Sequence, residues 1–151
     1  IWDCDEVEIF KDESVLKIKC YRSDLINPVK EEKLLSNKIF LIVKNRNDIN
    51  NTDVNIMTNF DKMSMEGIVY TEGDLHIYGD FELKGVLIVN GKLVIYPEAN
   101  VNINGIVLSK FVEVLNNQNN LLVTYDFFEI KKYGIYLPGF IDMKVNKIKS
   151  N

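Results

Sequence analysis

Residues 67–101 read GIVYTEGDLHIYGDFELKGVLIVNGKLVIYPEANV and carry glycine at every sixth position until Pro97 takes its place. The series is Gly67, Gly73, Gly79, Gly85, Gly91 and Pro97. A fixed short period indicates stacked units that share one core. Glycine reaches dihedral angles closed to other residues and proline presets one, so these positions suit chain corners. The stretch predicts a β-solenoid with these six residues as its corners.

An even period keeps the alternation of a β-strand in phase from one unit to the next. The second and fourth residues after each corner are apolar, apart from one threonine. They are Val69, Thr71, Leu75, Ile77, Phe81, Leu83, Leu87, Val89, Leu93, Ile95, Ala99 and Val101. The positions between them are largely charged or amide residues, which suit a solvated surface. We therefore expect these twelve side chains to line the interior.

A longer repeat lies on top of the six-residue period. The segment 67–77 matches 85–95, eighteen residues later, with both glycines and a Leu-x-Ile pattern preserved. Three six-residue units therefore make one coil of about 18 residues with a triangular cross-section. A further coil begins at Gly105, where the offset is twenty and Phe111 replaces the corner glycine. Keeping the phase there would bury Glu113, so we expect a register shift that turns Val112 and Val114 inward.

The whole chain is predicted to be mainly β, in three units. Residues 1–64 form a β-rich N-terminal segment, 65–118 the short parallel solenoid, and 119–151 C-terminal strands that cap it. Predicted strands outside the solenoid are Ser14–Tyr21, Lys38–Lys44, Asp53–Asn59, Leu121–Ile130 and Phe140–Ile148. Residues 30–36 are predicted as a helical turn, and the Asn-rich segment 45–52 as a hairpin loop.

Composition excludes several classes of function. The 151 residues are 46% hydrophobic and 26% charged, as in a folded globular protein. A net charge of -4 and a pI near 5.1 give no basic surface for nucleic acid. The longest apolar runs, such as 40–43, are far shorter than the roughly 20 residues that span a bilayer.

Cys4 and Cys20 are the chain's two cysteines, and two interpretations of them stay open. They either form a disulfide or are separate buried thiols. Two cysteines are too few for a zinc site, and the one histidine, His76, is distant in sequence. A bridge would contribute about 3 kcal/mol and would favour an oxidising compartment.

The candidate catalytic residues have simpler explanations as surface residues. His76 could be the base of a hexapeptide-repeat acyltransferase, but too few coils are present for the cleft of such an enzyme. Glu72, Asp74, Asp80 and Glu82 could serve glycoside hydrolysis or bind a cation. The next coil does not repeat this acidity, so a solvated surface is preferred. We expect no catalytic, cofactor or metal site and no enzymatic activity.

The outward side of the first segment of each coil is apolar as well. It carries Ile68 and Tyr70, then Val86 and Ile88, then Ile106 and Leu108. We name these six residues the apolar outer ladder. A monomer rarely leaves so large an apolar patch in water. Either the N-terminal segment packs over it, or it is an interface with another subunit.

Three stretches of the sequence resemble a known family. They are MEGIVYTEGDLHIYGDFELKGVLIVNGKLVI at 65–95, LLVTYD at 121–126 and KYGIYLPGFIDMKV at 132–145. Together they are similar to the C-terminal parts of PilX-like type IV pilus assembly proteins, or minor pilins, of clostridia and related Firmicutes. Glycine-cornered coils of this kind also occur in bactofilins. The resemblance covers about residues 65–145 and leaves 1–64 unmatched.

The resemblance implies a non-enzymatic cell-surface subunit, exported as part of a pilus and contacting other pilins. A prepilin leader and one hydrophobic helix would then precede Ile1, and that helix would be the contact with the membrane. It also implies an extracellular location and a role in adhesion. Two alternatives stay open. One is a secreted module that binds glycan or host protein through the solenoid faces, which stacked aromatics such as Tyr78 and Tyr96 would favour. The other is a bactofilin-like cytoplasmic polymer.

Overall fold

The chain is built almost entirely from β-strands in its computed structural model, which describes residues 2–13, 15–21, 29–34, 38–44, 52–57, 62–115 and 120–134. The strands are β1 (Trp2–Asp3), β2 (Glu6–Asp12), β3 (Val15–Tyr21), β4 (Val29–Leu34), β5 (Lys38–Lys44), β6 (Asp53–Met57), β7 (Met63–Thr71), β8 (Leu75–Ile77), β9 (Phe81–Ile95), β10 (Val101–Val114) and β11 (Leu121–Thr124). A short helix, α1 (Phe127–Gly134), follows them. The predicted all-β class is confirmed.

Parallel pairing between successive coils makes the fold a parallel β-solenoid of roughly three turns, as predicted. β7 pairs with β9 from Met63 opposite Phe81 to Thr71 opposite Val89. β9 pairs in turn with β10 over almost its whole length. Because β9 and β10 bend at the corners, each runs over all three faces of the solenoid.

The three faces are stacks of parallel segments. The first face contains β1, β5, and residues 66–71, 85–89 and 105–109. The second face contains β2, β6, β8, and residues 93–95 and 112–114. The third face contains residues 63–65, 81–83 and 101–103, and then β11.

The parallel stack continues upstream of the predicted solenoid. β5 pairs with β7 on the first face, and β6 pairs with β8 on the second. β1 and β2 add a partial coil by pairing with β5 and β6. β3 and β4 then extend the second face by antiparallel pairing. Residue 65, the predicted start of the solenoid, therefore lies inside β7.

A single apolar core runs through the stack. All twelve side chains predicted to line the interior are buried. The same cluster continues upstream through Val7, Ile9, Val54 and Ile56. The hydroxyl of Thr71 donates to the carbonyl of Gly73 at 2.9 Å, so the polar member of the twelve is satisfied. Alternation on a strand therefore sets which residues are buried throughout the stack.

The corner between the third and first faces requires glycine. Gly85 and Gly105 have φ of 143° and 144°, a region that residues with a side chain rarely adopt. The two also stack directly on one another in the parallel register. A Cβ atom at Gly105 would overlap the carbonyl oxygen of Gly85, and one at Gly85 would overlap that of Gly67. This corner therefore excludes larger residues both by dihedral angle and by space.

The last coil shifts register as expected. An irregularity between Ser109 and Phe111 places Val112 opposite Leu93 and Val114 opposite Ile95. Leu93 and Ile95 are buried, so the two valines have the inward phase and Glu113 the outward one. Val112 is nevertheless 49% exposed, because this coil lies at the end of the described stack.

Three local predictions are wrong. Residues 30–36 were expected to form a helical turn, but 29–34 form β4, which pairs with β3. Leu121–Ile130 was expected to be one strand, but β11 ends at Thr124 and helix α1 begins at Phe127. β5 and β6 do not form a hairpin, since each pairs with strands on a different face.

Two further predictions fall on undescribed parts of the chain. Residues 45–51 of the Asn-rich segment lie outside the described residues. The predicted strand Phe140–Ile148 lies outside them too.

Candidate functional site

The apolar outer ladder forms two columns on the first face. Ile68, Val86 and Ile106 stand opposite one another in the parallel register. Tyr70, Ile88 and Leu108 make the second column, two residues further along each strand. The ladder predicted from the sequence is therefore contiguous in space.

Helix α1 covers the first column. Ile130 and Tyr133, three residues apart and hence on one side of the helix, are buried against Ile68, Val86 and Ile106. The N-terminal segment was one of the two alternatives for covering the ladder, and helix α1 takes its place over this column. These three ladder residues are buried within the chain, and they cannot serve as the subunit interface for which they were candidates.

The sequence before α1 explains why the helix begins where it does. The Oδ1 atom of Asp126 accepts hydrogen bonds from the backbone N–H groups of Phe128 and Glu129, at 3.1 and 3.3 Å. An aspartate in this place satisfies donors that the first turn of a helix leaves without partners. Strand pairing ends two residues earlier, at Thr124, so Asp126 lies between β11 and α1.

The second column lies beside an open groove. Tyr70, Ile88 and Leu108 are only half-buried, and together with residues of the neighbouring turns they line a volume of about 400 Å³. The other lining residues are Val89, Asn90, Val107, Ser109 and Lys110. Three of the six candidate interface residues thus remain accessible.

A further group of exposed apolar side chains, not identified from the sequence, lies near the C-terminal end of the described stack. It consists of exposed side chains of β10, β11 and the start of α1. They are Phe111, Val112, Leu115, Leu122, Tyr125, Phe127 and Phe128, which we name the terminal apolar surface. Phe111 is 66% exposed and Phe128 83%. In the described part of the chain, residues 105–114 and β11 pair with no further strand beyond them.

The outward side of the second face is polar and aromatic. Each coil contributes three residues of this phase, at matching positions in or next to β6, β8 and β9. The set, which we name the polar face, is Asp53, Asn55, Met57, Asp74, His76, Tyr78, Lys92, Val94 and Tyr96. Met57 and Val94 are its two apolar members, and Val94 is buried. The backbone N–H of Asp74 donates to Oδ1 of Asp53, and that of Lys92 donates to Oδ1 of Asp74, both at 2.8 Å. The aspartates therefore join successive coils at this corner.

His76 stands between the aspartates and two tyrosines. Its Nδ1 atom lies 3.1 Å from the hydroxyl of Tyr96, and its ring stacks on that of Tyr78 at 6.2 Å. Tyr78 and Tyr96 stack on each other with ring centroids 4.1 Å apart. On the other side, one ligand atom from each of Asp53, Asp74 and His76 falls within 4.8 Å of the other two.

The acidic residues considered together in the sequence do not converge on one site. Asp74 belongs to the corner just described. Asp80 accepts the backbone N–H of Asn100 at 2.9 Å at a different corner. Glu82 forms an ion pair with Lys62 at 2.7 Å on the third face, and this hydrogen bond lowers the pKa of Glu82. The carboxylate that shares a corner with Asp74 is Asp53, from the preceding coil.

A disulfide joins Cys4 to Cys20, with Cα atoms 5.6 Å apart. Cys4 lies between β1 and β2, and Cys20 lies on β3. Both side chains are buried. The bridge therefore ties the antiparallel strands to the first corner of the solenoid.

The fold and these surfaces define the chain as a parallel β-solenoid protein with a disulfide-tied N-terminal end. No family model, curated protein or solved structure matches it. Among the described residues, no helix has the length and apolar character needed to cross a membrane.

Proposed function

We propose that this chain is a non-enzymatic structural subunit of the cell surface, the ectodomain of a minor pilin or pilus-assembly protein. It acts through contacts with other pilin subunits in a type IV pilus. The terminal apolar surface is the observation that carries the proposal. Exposed aromatic and aliphatic side chains on this scale are typical of protein interfaces.

The position of the terminal apolar surface supports contact with a protein rather than with a small molecule. Phe128, Phe111 and Leu122 come from three different elements and are 83%, 66% and 62% exposed, so none of them lies in an enclosed pocket. Small-molecule sites are usually concave and bury most of the ligand. A second protein surface, by contrast, buries such side chains at the centre of its contact.

The disulfide supports the cellular location that the proposal requires. Bridges such as Cys4–Cys20 persist in oxidising compartments, including the outside of the cell. A cytoplasmic, bactofilin-like polymer is disfavoured for the same reason. The pilin assignment itself rests on the resemblance of residues 65–95, 121–126 and 132–145 to the PilX-like family.

A photo-crosslinking experiment in the cells that make the protein tests the proposal. A photoreactive amino acid at Phe128 is expected to crosslink to a protein that carries a prepilin leader. The same amino acid at Asp12, which is exposed at the end of β2 in the N-terminal part of the stack, serves as the control and should give no such product. Products from Phe128 that contain no pilin would contradict the proposal. So would a gene without a leader and an apolar helix upstream of Ile1.

One observation favours a second candidate, a surface module that binds glycan or host protein. Tyr78 and Tyr96 stack in adjacent coils, as this alternative requires. Each ring, however, uses one face against its neighbour, which leaves less aromatic surface for a sugar. Binding of the chain to a glycan array, lost on Tyr96→Ala replacement and kept on Phe128→Ala replacement, would support this candidate.

A further inference from the structure

Three potential metal ligands meet where β6 and β8 start on the polar face. One ligand atom from each of Asp53, Asp74 and His76 lies within 4.8 Å of the other two. An ion placed centrally between these atoms would then lie no more than about 2.8 Å from each of the three. Zinc takes nitrogen and oxygen ligands at about 2.0–2.2 Å. None of the three side chains is fully buried, so small side-chain rotations would bring their ligand atoms to these distances.

Each of the three side chains is oriented by a hydrogen bond that leaves a second ligand atom for an ion. Oδ1 of Asp53 accepts the N–H of Asp74, and Oδ1 of Asp74 accepts the N–H of Lys92. The Nδ1 atom of His76 is within hydrogen-bond distance of the Tyr96 hydroxyl. Metal-binding histidines commonly have the other ring nitrogen held by such a partner. Oδ2 of each aspartate and Nε2 of His76 then remain as ligands.

The electrostatics of this corner favour a cation. Asp53 and Asp74 are close enough for like-charge repulsion, and Glu6 stands next to Asp53 in the strand register. Oε1 of Glu6 accepts a hydrogen bond from Asn55 at 2.6 Å and gains no positive partner there. Over the described ranges, no lysine or arginine forms an ion pair with either aspartate. Lys92, which follows Asp74 in the next coil, is the one cation of the polar face, so Glu6, Asp53 and Asp74 leave this corner with a net negative charge. A bound cation would replace this repulsion with attraction.

We propose that Asp53, Asp74 and His76 form a binding site for a divalent transition-metal ion, with zinc as the best match. An imidazole with two carboxylates suits zinc better than it suits calcium or magnesium, which prefer oxygen ligands alone. Three protein ligands leave one position for water. Because Asp53 belongs to one coil and Asp74 to the next, the ion stabilises the stacking of the two coils.

A titration of the tag-free chain with zinc chloride tests the site. His76 is the one histidine in the sequence, so ¹⁵N NMR gives a single pair of imidazole nitrogen signals. Zinc is expected to bind with one-to-one stoichiometry by calorimetry and to shift the Nε2 signal more than the Nδ1 signal. Unchanged imidazole signals at millimolar zinc would overturn the proposal without any variant being needed.

Variants that each remove one negative charge distinguish zinc binding at this site from non-specific attraction of zinc to an acidic protein. Asp53→Asn and Asp74→Asn each keep Oδ1 as an acceptor and lose the anionic second oxygen, so folding should be preserved. Each is expected to weaken zinc binding at least about tenfold. Asp80→Asn removes the same charge from another corner and should leave the affinity unchanged. Equal affinities for Asp74→Asn and Asp80→Asn would overturn the proposal.

Discussion

The hydroxyl of Tyr78 donates a hydrogen bond to that of Tyr96, its counterpart one coil later, across 3.3 Å. This hydrogen bond is the main reason that the pKa of Tyr78 rises from 10.0 to about 12. Burial contributes next, followed by the charges of Tyr96 and Glu6. The pair thus links the stacking of two coils to a measurable ionisation.

We expect Tyr96→Phe replacement to lower the pKa of Tyr78 towards 10.0 while the rings stay stacked. Phenylalanine keeps the ring but removes the hydroxyl that accepts the hydrogen bond. The measurement is the ¹³C chemical shift of the Tyr78 ring during a pH titration, with assignment from Tyr78→Phe. An unchanged Tyr78 pKa in Tyr96→Phe would show that the hydrogen bond is not the cause.

The raised pKa of Tyr78 also predicts a pH dependence of stability. The folded chain keeps this proton between pH 10 and about 12, whereas the unfolded chain loses it near pH 10. The contribution of Tyr78 is therefore complete below pH 10 and is lost as the pH rises through about 12. Urea unfolding should show a steeper alkaline loss for the wild type than for Tyr78→Phe. Equal slopes would contradict this prediction.

Replacement of Gly85 by alanine is expected to destabilise the solenoid by about 3 kcal/mol. The new Cβ atom would overlap the backbone carbonyl oxygen of Gly67, and φ of 143° is unfavourable for alanine. Backbone atoms cannot rotate away as a flexible side chain can. Chemical denaturation measures the free energy of unfolding.

Asn90→Ala is the matched control for Gly85→Ala. Asn90 is exposed on the same strand, so its truncation should change the free energy of unfolding by less than about 0.5 kcal/mol. If the two variants unfolded at the same urea concentration, the corner at Gly85 would accept a side chain, which would contradict this prediction.

Loss of the Cys4–Cys20 bridge should cost about 3 kcal/mol, since the residues it joins are 16 apart in sequence. The double variant Cys4→Ser, Cys20→Ser is expected to unfold at lower urea concentration than the oxidised wild type. Hydrogen exchange should quicken first in β2 and β3, which the bridge holds together. The intact mass before and after reduction tests the bridge itself, and a pair of alkylatable thiols in the unreduced protein would contradict it.

The solenoid could be predicted because its corners and its interior follow simple rules. Gly67, Gly85 and Gly105 mark a corner that only glycine fits, and alternation then determines which side chains are buried. β5 and β6 were recognised as strands but not as coils. Polar segments interrupt the six-residue period around β5 and β6, and Thr52 occupies the position that Gly73 and Gly91 occupy in later coils.

Because the coil that contains β6 was not recognised from the sequence, Asp53 was not identified as a partner of Asp74 and His76. Asp53–Met57 reads DVNIM, and the equivalent positions in the next coil read DLHIY. Aligning these two pentapeptides would have placed both aspartates in one column. Helix α1 was missed because FFEIKKYG also suits an apolar strand. The signal for a helix was Asp126 followed three residues later by Glu129, a common pattern at a helix start.

Helix α1 should be attached mainly through Ile130, which is 1% exposed and packs against Ile68, Val86 and Ile106. We expect Ile130→Ala to cost about 3 kcal/mol, because it removes buried methyl groups and leaves a cavity on the first face. Amide hydrogen exchange in α1 should increase more than exchange in β9. The exchange rates and the free energy of unfolding are both measurable on one protein sample.

Phe128→Ala is the control, since its side chain is 83% exposed two residues earlier on the same helix. This variant should unfold within about 0.5 kcal/mol of the wild type. If Phe128 were as costly to replace as Ile130, both would pack within the chain. The terminal apolar surface would then lose its most exposed member. A stable Phe128→Ala variant would instead show that the wild-type Phe128 side chain contributes little to folding and is available for a partner. The attachment of α1 would then be assigned to Ile130.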